Sequence, residues 1–282
     1  MSLRVLGCLV LAACSTDVFT GDDGGIDALI DDAKVQPDVV AEAGGPDASG
    51  VDGSSGDAGD PFTCNPVLTG TILCDDFESS ASPGQKFVNT ALYGGGAVAF
   101  DTANYVSPTH AVSFTTPAIT SALTFADFLS EGTNVTQDAV SLRASLRIHQ
   151  IDTAQNVALM RFTYSAATIA GSVAFDVFAH NGALALAVTE PGDGGTLTVA
   201  TFPLAGYAVD KWVGVRVDVT TAPTVSVAAY IGGAQVLAAT PVLVPGPTSS
   251  NRIRDAYIGV IFLQTSTVAT SVDVDDFLFR GM

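Results

Sequence analysis

Two Asp-Asp-Phe triplets carry the residue types and spacing best suited to chemistry in this sequence: Asp75-Asp76-Phe77 and Asp275-Asp276-Phe277. Carboxylate oxygens of this kind can hold a hard cation such as calcium. They can also serve as general acid and base where their surroundings push their pKa values apart. Neighbouring residues of an extended strand point to opposite faces, however, so neither pair can act as a dyad within its own strand. Two expectations follow. Calcium could be shared by Asp75 or Asp76 with Asp273, Asp275 or Asp276, provided the strands carrying them are neighbours. Alternatively, the carboxylates cap loops and flank edge strands while Phe77 and Phe277 anchor a core. If Phe277 and Phe279 point inwards, Asp275 shares their face and needs hydrogen-bond partners or a bulge.

Other chemistries find little to work with. No Gly-x-Ser-x-Gly elbow is present to activate a serine. The three histidines, His110, His149 and His180, are too scattered to predict a zinc site. A net charge of −18 argues against nucleic acid as a partner, because phosphate binding needs a basic surface.

The elements that must position these residues fall into three parts. Residues 1–13 contain Arg4 and an apolar run from Val5 to Ala13, nine residues against the roughly 20 a membrane-spanning helix needs. A secretory signal fits that pattern. Its end, Leu11-Ala12-Ala13-Cys14, resembles a bacterial lipobox, which implies cleavage before Cys14 and acylation of that cysteine. The expected address is the cell envelope, at the outer membrane or cell surface, with the lipid bilayer as a partner through Cys14. Residues 14–61 form a tether in which twelve acidic residues face Lys34 alone. Such a composition cannot bury enough apolar surface to offset ordering entropy, and as a flexible chain it would span about 40 Å. Cys8 leaves with the signal and Cys14 carries lipid, so Cys64 and Cys74 remain as the expected disulfide of an oxidising compartment.

Residues 62–282 alternate apolar and polar side chains, the signature of half-buried strands. In "AVSLRASLRIHQI" (139–151) Val140, Leu142, Ala144, Leu146 and Ile148 share one face, opposite Arg143, Arg147 and His149. In "KWVGVRVDV" Val213, Val215, Val217 and Val219 lie opposite Trp212, Gly214, Arg216 and Asp218, and the strand position of Trp212 suggests a core residue. Asn181-Gly182 and Gly232-Gly233 are expected hairpin turns. About a dozen strands are expected, with "FADFLSEG" (125–132) as the best helical candidate. Alternating antiparallel strands bury their apolar faces as a two-sheet sandwich, so the fold class is all-β.

"CDDFE" (74–78), "SPTHAVSF" (107–114), "DKWVGVRVDV" (210–219), "TVSVAAYIGGAQV" (224–236) and "VDVDDFLF" (272–279) stand in an order that resembles a laminin G-like or concanavalin A-like jelly roll. The resemblance implies that the first and last strands are neighbours. It also implies a fold shared by lectins, adhesion modules, glycosidases and polysaccharide lyases, so shape does not select among them. Glycosidases of this fold use Glu-x-Asp-x-x-Glu on one strand. Glu78, Glu131 and Glu190 do not reproduce it, and the last two are expected in loops. Alginate-type lyases use an arginine, a Gln-x-His strand and a Tyr-rich C-terminal strand. "RIHQ" (147–150) resembles the second, and "YIGVIFLQ" (257–264) stands for the third without its lysine and second tyrosine. An exposed strand histidine such as His149 is ordinarily solvated. The leading expectation is therefore a non-catalytic, carbohydrate-binding module with Tyr93 and Tyr105 as rim aromatics. The competing one is a structural or adhesion module without a glycan ligand.

Overall fold

The computed structural model describes residues 70–107, 109–118, 124–131, 138–166, 171–192, 195–247, 255–263 and 266–282. The signal, the tether, Cys14 and Cys64 lie outside them, so the lipid and disulfide expectations do too.

Fifteen strands and no helix occur among the described residues, in two antiparallel sheets. The first sheet holds β1 (Thr71–Asp75), β3 (Ala97–Asp101), β4 (Ala111–Thr116), β6 (Ala139–Gln150), β11 (Trp212–Thr220), β12 (Ser226–Ile231), β13 (Ala234–Pro241) and β15 (Thr270–Gly281). Its order is β13-β12-β11-β6-β15-β4-β3, with β1 also paired to β15. The second sheet holds β2 (Asn89–Tyr93), β5 (Thr124–Glu131), β7 (Val157–Ser165), β8 (Ser172–His180), β9 (Ala183–Gly192), β10 (Gly195–Gly206) and β14 (Asp255–Leu263). Its order is β10-β9-β8-β7-β14-β5-β2. This is the expected jelly-roll sandwich.

Alternation decides which side chains meet between the sheets. Val140, Leu142, Ala144, Leu146 and Ile148 of β6 are buried, as are Val215, Val217 and Val219 of β11. Phe162 and Tyr164 of β7, Phe175 of β8 and Ile258 of β14 meet them from the other layer. Both hairpin turns form as their sequences demand, with positive φ at Asn181 and Gly182 and at Gly232 and Gly233.

Three local expectations are corrected. "FADFLSE" is strand β5: Ala126 and Phe128 are buried in the core, so tertiary burial on a two-residue period overrides a short helical pattern. Glu131 and Glu190 lie within β5 and β9, not in loops. Trp212 is half-buried and belongs to the outward face of β11, because Val215, Val217 and Val219 take the inward positions.

The two Asp-Asp-Phe segments are paired: Asp75 lies opposite Phe277 in the β1–β15 ladder. Phe77 and Phe277 are fully buried, and Phe87 sits between them, with ring centroids 6.3 Å and 5.2 Å away. The sequence condition on Asp275 is met twice over. The ladder between β15 and β6 slips between Asp275 and Leu278, with Asp276 at a φ of 53°, so a bulge turns the strand here. Asp275 also accepts the backbone N–H groups of Val106, Ser107 and Asp276 at 2.7, 3.0 and 2.8 Å.

Candidate functional site

The outward face of the seven-stranded sheet gathers residues that no single stretch of sequence groups. Strand register places Thr201, Ala187, Asp176, Arg161, Tyr257, Leu129 and Asn89 in one row across all seven strands. At the spacing of paired strands that row is roughly 29 Å long. Its centre is an ion pair: Arg161 Nε donates to Asp176 Oδ1 at 2.5 Å and Nη2 donates to Oδ2 at 3.0 Å. Burial pulls the guanidinium pKa down, but the Asp176 carboxylate more than offsets this and holds Arg161 charged.

To one side of the pair lies a groove of about 170 Å³, with Thr163, Thr189, Thr198 and Thr201 beside Arg161 and Asp176. Small residues, Ala158, Ala174 and Ala187, line it as well. On the other side stand aromatic groups. Tyr93 is 57% exposed and stacks on Phe125 with centroids 5.5 Å apart and planes 17° from parallel.

Asp127 lies between these two zones, on β5. Its cross-strand neighbours are Ala91 and Gly259, neither of which brings a side-chain donor. Gly259 has a φ of 127°, and an added Cβ would fall 2.5 Å from the Ala126 carbonyl oxygen and 2.7 Å from the Phe114 ring. No side chain can therefore be placed there to serve Asp127. Burial lifts the Asp127 carboxyl to about 7, while the Arg161 guanidinium draws it back only in part.

The eight-stranded sheet carries a different charged group on its own outward face. His149 Nδ1 meets Asp210 Oδ1 at 2.5 Å, and its Nε2 hydrogen-bonds the buried Asp273 Oδ2. Both ring nitrogens face carboxyl oxygens, an arrangement that favours the protonated ring. Burial lowers its pKa, but the hydrogen bonds to Asp273 and Asp210 more than compensate, and the net shift is upward. His149 is thus bridged between two carboxylates rather than solvated as expected. It also lies on the sheet opposite Tyr257, so the "RIHQ" and "YIGVIFLQ" strands face away from each other across the core. The two pieces that resemble a lyase do not converge.

The five acids at the seam between β1 and β15, Asp75, Asp76, Asp273, Asp275 and Asp276, separate as well. Asp273 belongs to the His149 cluster, and Asp275 is held by the loop at Val106 and Ser107. Burial and the neighbouring Asp276 carboxylate raise Asp275 to about 7. Asp75 Oδ2, Asp76 Oδ1 and Asp276 Oδ1 are buried without hydrogen-bond partners among the described residues, which is the oxygen chemistry calcium takes. Lys86 Nζ nevertheless lies 2.9 Å from Asp75 Oδ1 and 3.7 Å from Asp76 Oδ1, supplying a positive charge. Among the described residues, no three His, Cys, Asp or Glu side chains converge as a metal-binding group.

Tyr93 and Tyr105 are both exposed but do not share a rim. Tyr93 ends β2 of one sheet, and Tyr105 lies between β3 and β4 of the other. Sequence reasoning missed Arg161, Asp176 and Asp127. A signal was there to read: "LMRF", "FDVF" and "FADF" each hold one charge inside an otherwise apolar strand.

No family model matches this chain, and no curated protein matches it either. Solved structures do. An endo-β-1,4-glucuronan lyase from the fungus Trichoderma reesei is similar at 12% identity and a TM-score of 0.60, over 75% of this chain and 96% of that one. A cellulose-induced protein is similar at 16% identity and a TM-score of 0.51, over 74% and 97%. An alginate lyase is similar at 13% identity and a TM-score of 0.51, over 74% and 96%. At these identities the likeness shows the jelly-roll fold.

Proposed function

We propose that this chain is a lipid-anchored protein of the cell envelope that presents a non-catalytic, glycan-binding jelly roll on an acidic tether. The observation that carries the glycan reading is the outward face of the second sheet, where the seven-strand row runs and Tyr93 stands four residues beyond Asn89 on β2. A threonine-lined groove, a neutralised Arg161–Asp176 pair and the exposed Tyr93 offer hydroxyl partners, a planar donor–acceptor pair and a stacking face. Sugars need all three, because their hydroxyls both donate and accept while their C–H faces pack on aromatic rings. Arg161 already has a carboxylate partner, so the groove favours neutral hydroxyls over a second acid. The carbohydrate-related solved structures of the same fold support this reading in kind.

The test is a glycan array followed by calorimetric titration of the full chain. Thr198 is exposed on the groove, so Thr198→Trp fills the groove without entering the core. Binding of a neutral oligosaccharide that disappears in Thr198→Trp and weakens in Tyr93→Ala supports the proposal. An array without hits favours the structural or adhesion module. The anchor rests on Leu11-Ala12-Ala13-Cys14, and a Cys14→Ala chain that stays with the membrane fraction refutes it.

A second reading is favoured by one observation: the carboxyl of Asp127, raised to about 7, lies close enough to Arg161 for the two charges to interact. A uronate lyase needs a group near neutrality to take the C5 proton while the bond to O4 breaks and a C4–C5 double bond forms. An unsaturated uronate product released from a polyuronate, and lost in Asp127→Asn, would establish that activity instead.

A further inference from the structure

Four strands end the two sheets, β13 and β3 on the first and β10 and β2 on the second. An edge strand carries backbone N–H and C=O groups that another extended chain can pair with, and bulges, prolines and charges ordinarily block it. Two of these edges are guarded in that way. The β9–β10 ladder slips twice, and Pro203 stands inside β10. The β12–β13 ladder also slips twice, and Pro241 ends β13. Strand β3 pairs with β4 without a slip, but its exposed side chains are only Ala97 and Ala99. Strand β2 differs from all three. It pairs with β5 without a slip, from Asn89 opposite Leu129 to Tyr93 opposite Phe125. The Val88 N–H carries the pairing one residue further, donating to the Leu129 carbonyl at 2.9 Å. No side chain from Phe87 to Phe100 is charged. Lys86, the nearest charge before the strand, is turned to Asp75 and Asp76.

The same edge collects apolar surface. Val88 is 62% exposed and Leu92 48%, and the exposed Tyr93 follows directly. Leu92 is the informative residue. It lies opposite Ala126 of the core and so takes an inward position, yet half of it stays in solvent. The sandwich leaves it uncovered on this side, and an added strand would cover it. A second copy of the same strand fits best. Chains of net charge −18 repel one another, so two copies meet most readily where the surface is free of charge, as it is here. An antiparallel pair of identical strands is two-fold symmetric, so the contact closes on itself and does not propagate. A register centred on Thr90 sets Val88 opposite Leu92 of the second copy, and the two exposed aliphatic chains meet across the ladder. We propose that β2 is a self-association edge, where two copies of this chain pair antiparallel through residues 88–93 and join their seven-stranded sheets into one. Tyr93 stays open on the outward face beside Phe125, so the two outward faces become one surface. The pairing itself does not depend on the glycan reading.

A strand of five residues makes a contact of the weak, transient class, so the full chain is followed by sedimentation equilibrium up to about 100 μM. The expected result is an average mass that rises with concentration towards twice that of the monomer. Leu92→Lys and, separately, Val88→Lys place a charge on the edge at positions already in solvent, and each should weaken association about tenfold or more. All variants keep the N-terminal segment, so any association through it is common to them and cancels in the comparison. Urea midpoints show that each variant is folded, and two independent positions keep the test open if one of them is not. Thr90→Cys adds a direct geometric readout. Directly opposite residues of an antiparallel pair have Cα atoms about 4.5–5.5 Å apart, within the reach of a disulfide. Mild oxidation should therefore give a covalent dimer on a non-reducing gel for Thr90→Cys. None is expected for the wild type, which controls for the native cysteines, or for Val236→Cys on the guarded β13 edge. A chain that stays monomeric throughout overturns the proposal and leaves the edge to another partner. So do folded lysine variants that associate like the wild type, and cross-linking as strong at Val236→Cys as at Thr90→Cys.

Discussion

Asp127 offers the sharpest quantitative test, because the strands beside it give it no side-chain donor. Ala91 and Gly259 flank it, and Arg161 acts on it only as a nearby charge. Its folded pKa of about 7 stands above the ordinary value of 3.8, so the native state holds a proton that the unfolded chain has released. The sign follows from linkage. Stability attributable to this group is full below pH 3.8 and is lost as pH rises towards about 7. Every tenfold tightening of proton binding on folding is worth about 1.4 kcal/mol, which sets an upper bound of ~4 kcal/mol. Relaxation and water entering the groove reduce that figure, and about 2 kcal/mol is the expected loss.

Asparagine matches the neutral carboxyl in shape and never ionises. The difference in unfolding free energy between Asp127→Asn and wild type should therefore be near zero at about pH 4. It should grow to ~2 kcal/mol in favour of asparagine at about pH 8. Urea titrations of both chains at a series of pH values measure it, and the subtraction cancels the other titrating acids, including Asp275 and Asp276. A difference that stays flat with pH refutes the reasoning. A variant less stable than wild type at high pH would show that an ionised Asp127 is instead stabilised by Arg161.

Phe87 bridges the two Asp-Asp-Phe phenylalanines, so Phe87→Ala should cost about 3–5 kcal/mol, read as a fall in the urea midpoint at unchanged slope. A loss below ~1 kcal/mol would mean the seam collapses around the cavity. The His149 imidazolium contributes stability that is full below pH 6.5 and fades as pH rises through its elevated pKa. NMR titration of that ring should give a midpoint above 6.5, and a midpoint at or below it would show that Asp273 and Asp210 do not hold it charged. At the seam, Lys86 supplies the positive charge beside Asp75 and Asp76. Calcium or a chelator should therefore leave the Tm in place, whereas a calcium-dependent rise of several degrees would put the metal there.

Most of the fold was legible because strand alternation is a local signal with a long-range consequence. Val140 to Ile148 and Val213 to Val219 announce their inward faces by spacing alone, and the two glycine turns announce their hairpins. Two local readings failed for one physical reason. Helical periodicity in "FADFLSE" and the apolar bulk of Trp212 are intrinsic properties, but burial is assigned by what the opposite sheet supplies. Phe128 fills a place beside Phe87 and Phe114, so its strand is fixed and the helix cannot form. Trp212 follows the parity set by Val215, and that parity turns it outward.

The candidate sites were far less legible, because a row across a sheet joins residues that are distant in sequence. Arg161 and Asp176 are 15 residues apart but directly opposite, and Arg161 and Tyr257 are nearly a hundred apart yet adjacent in register. Nothing local distinguishes such charges from solvated ones, except that each interrupts an apolar strand. That exception has a physical basis: a lone charge in a half-buried strand is costly unless the neighbouring strand answers it. Arg161 in "LMRF" and Asp176 in "FDVF" answer each other, whereas Asp127 in "FADF" has Ala91 and Gly259 for neighbours and responds by holding its proton. A charge inside an apolar strand thus predicts either a cross-strand partner or a shifted pKa. Replacing Arg161 by glutamine removes the guanidinium that answers Asp176 across the β7–β8 ladder and should lower the urea midpoint at unchanged slope. An unchanged midpoint in Arg161→Gln would show that the cross-strand partner is not what lets this strand carry a charge.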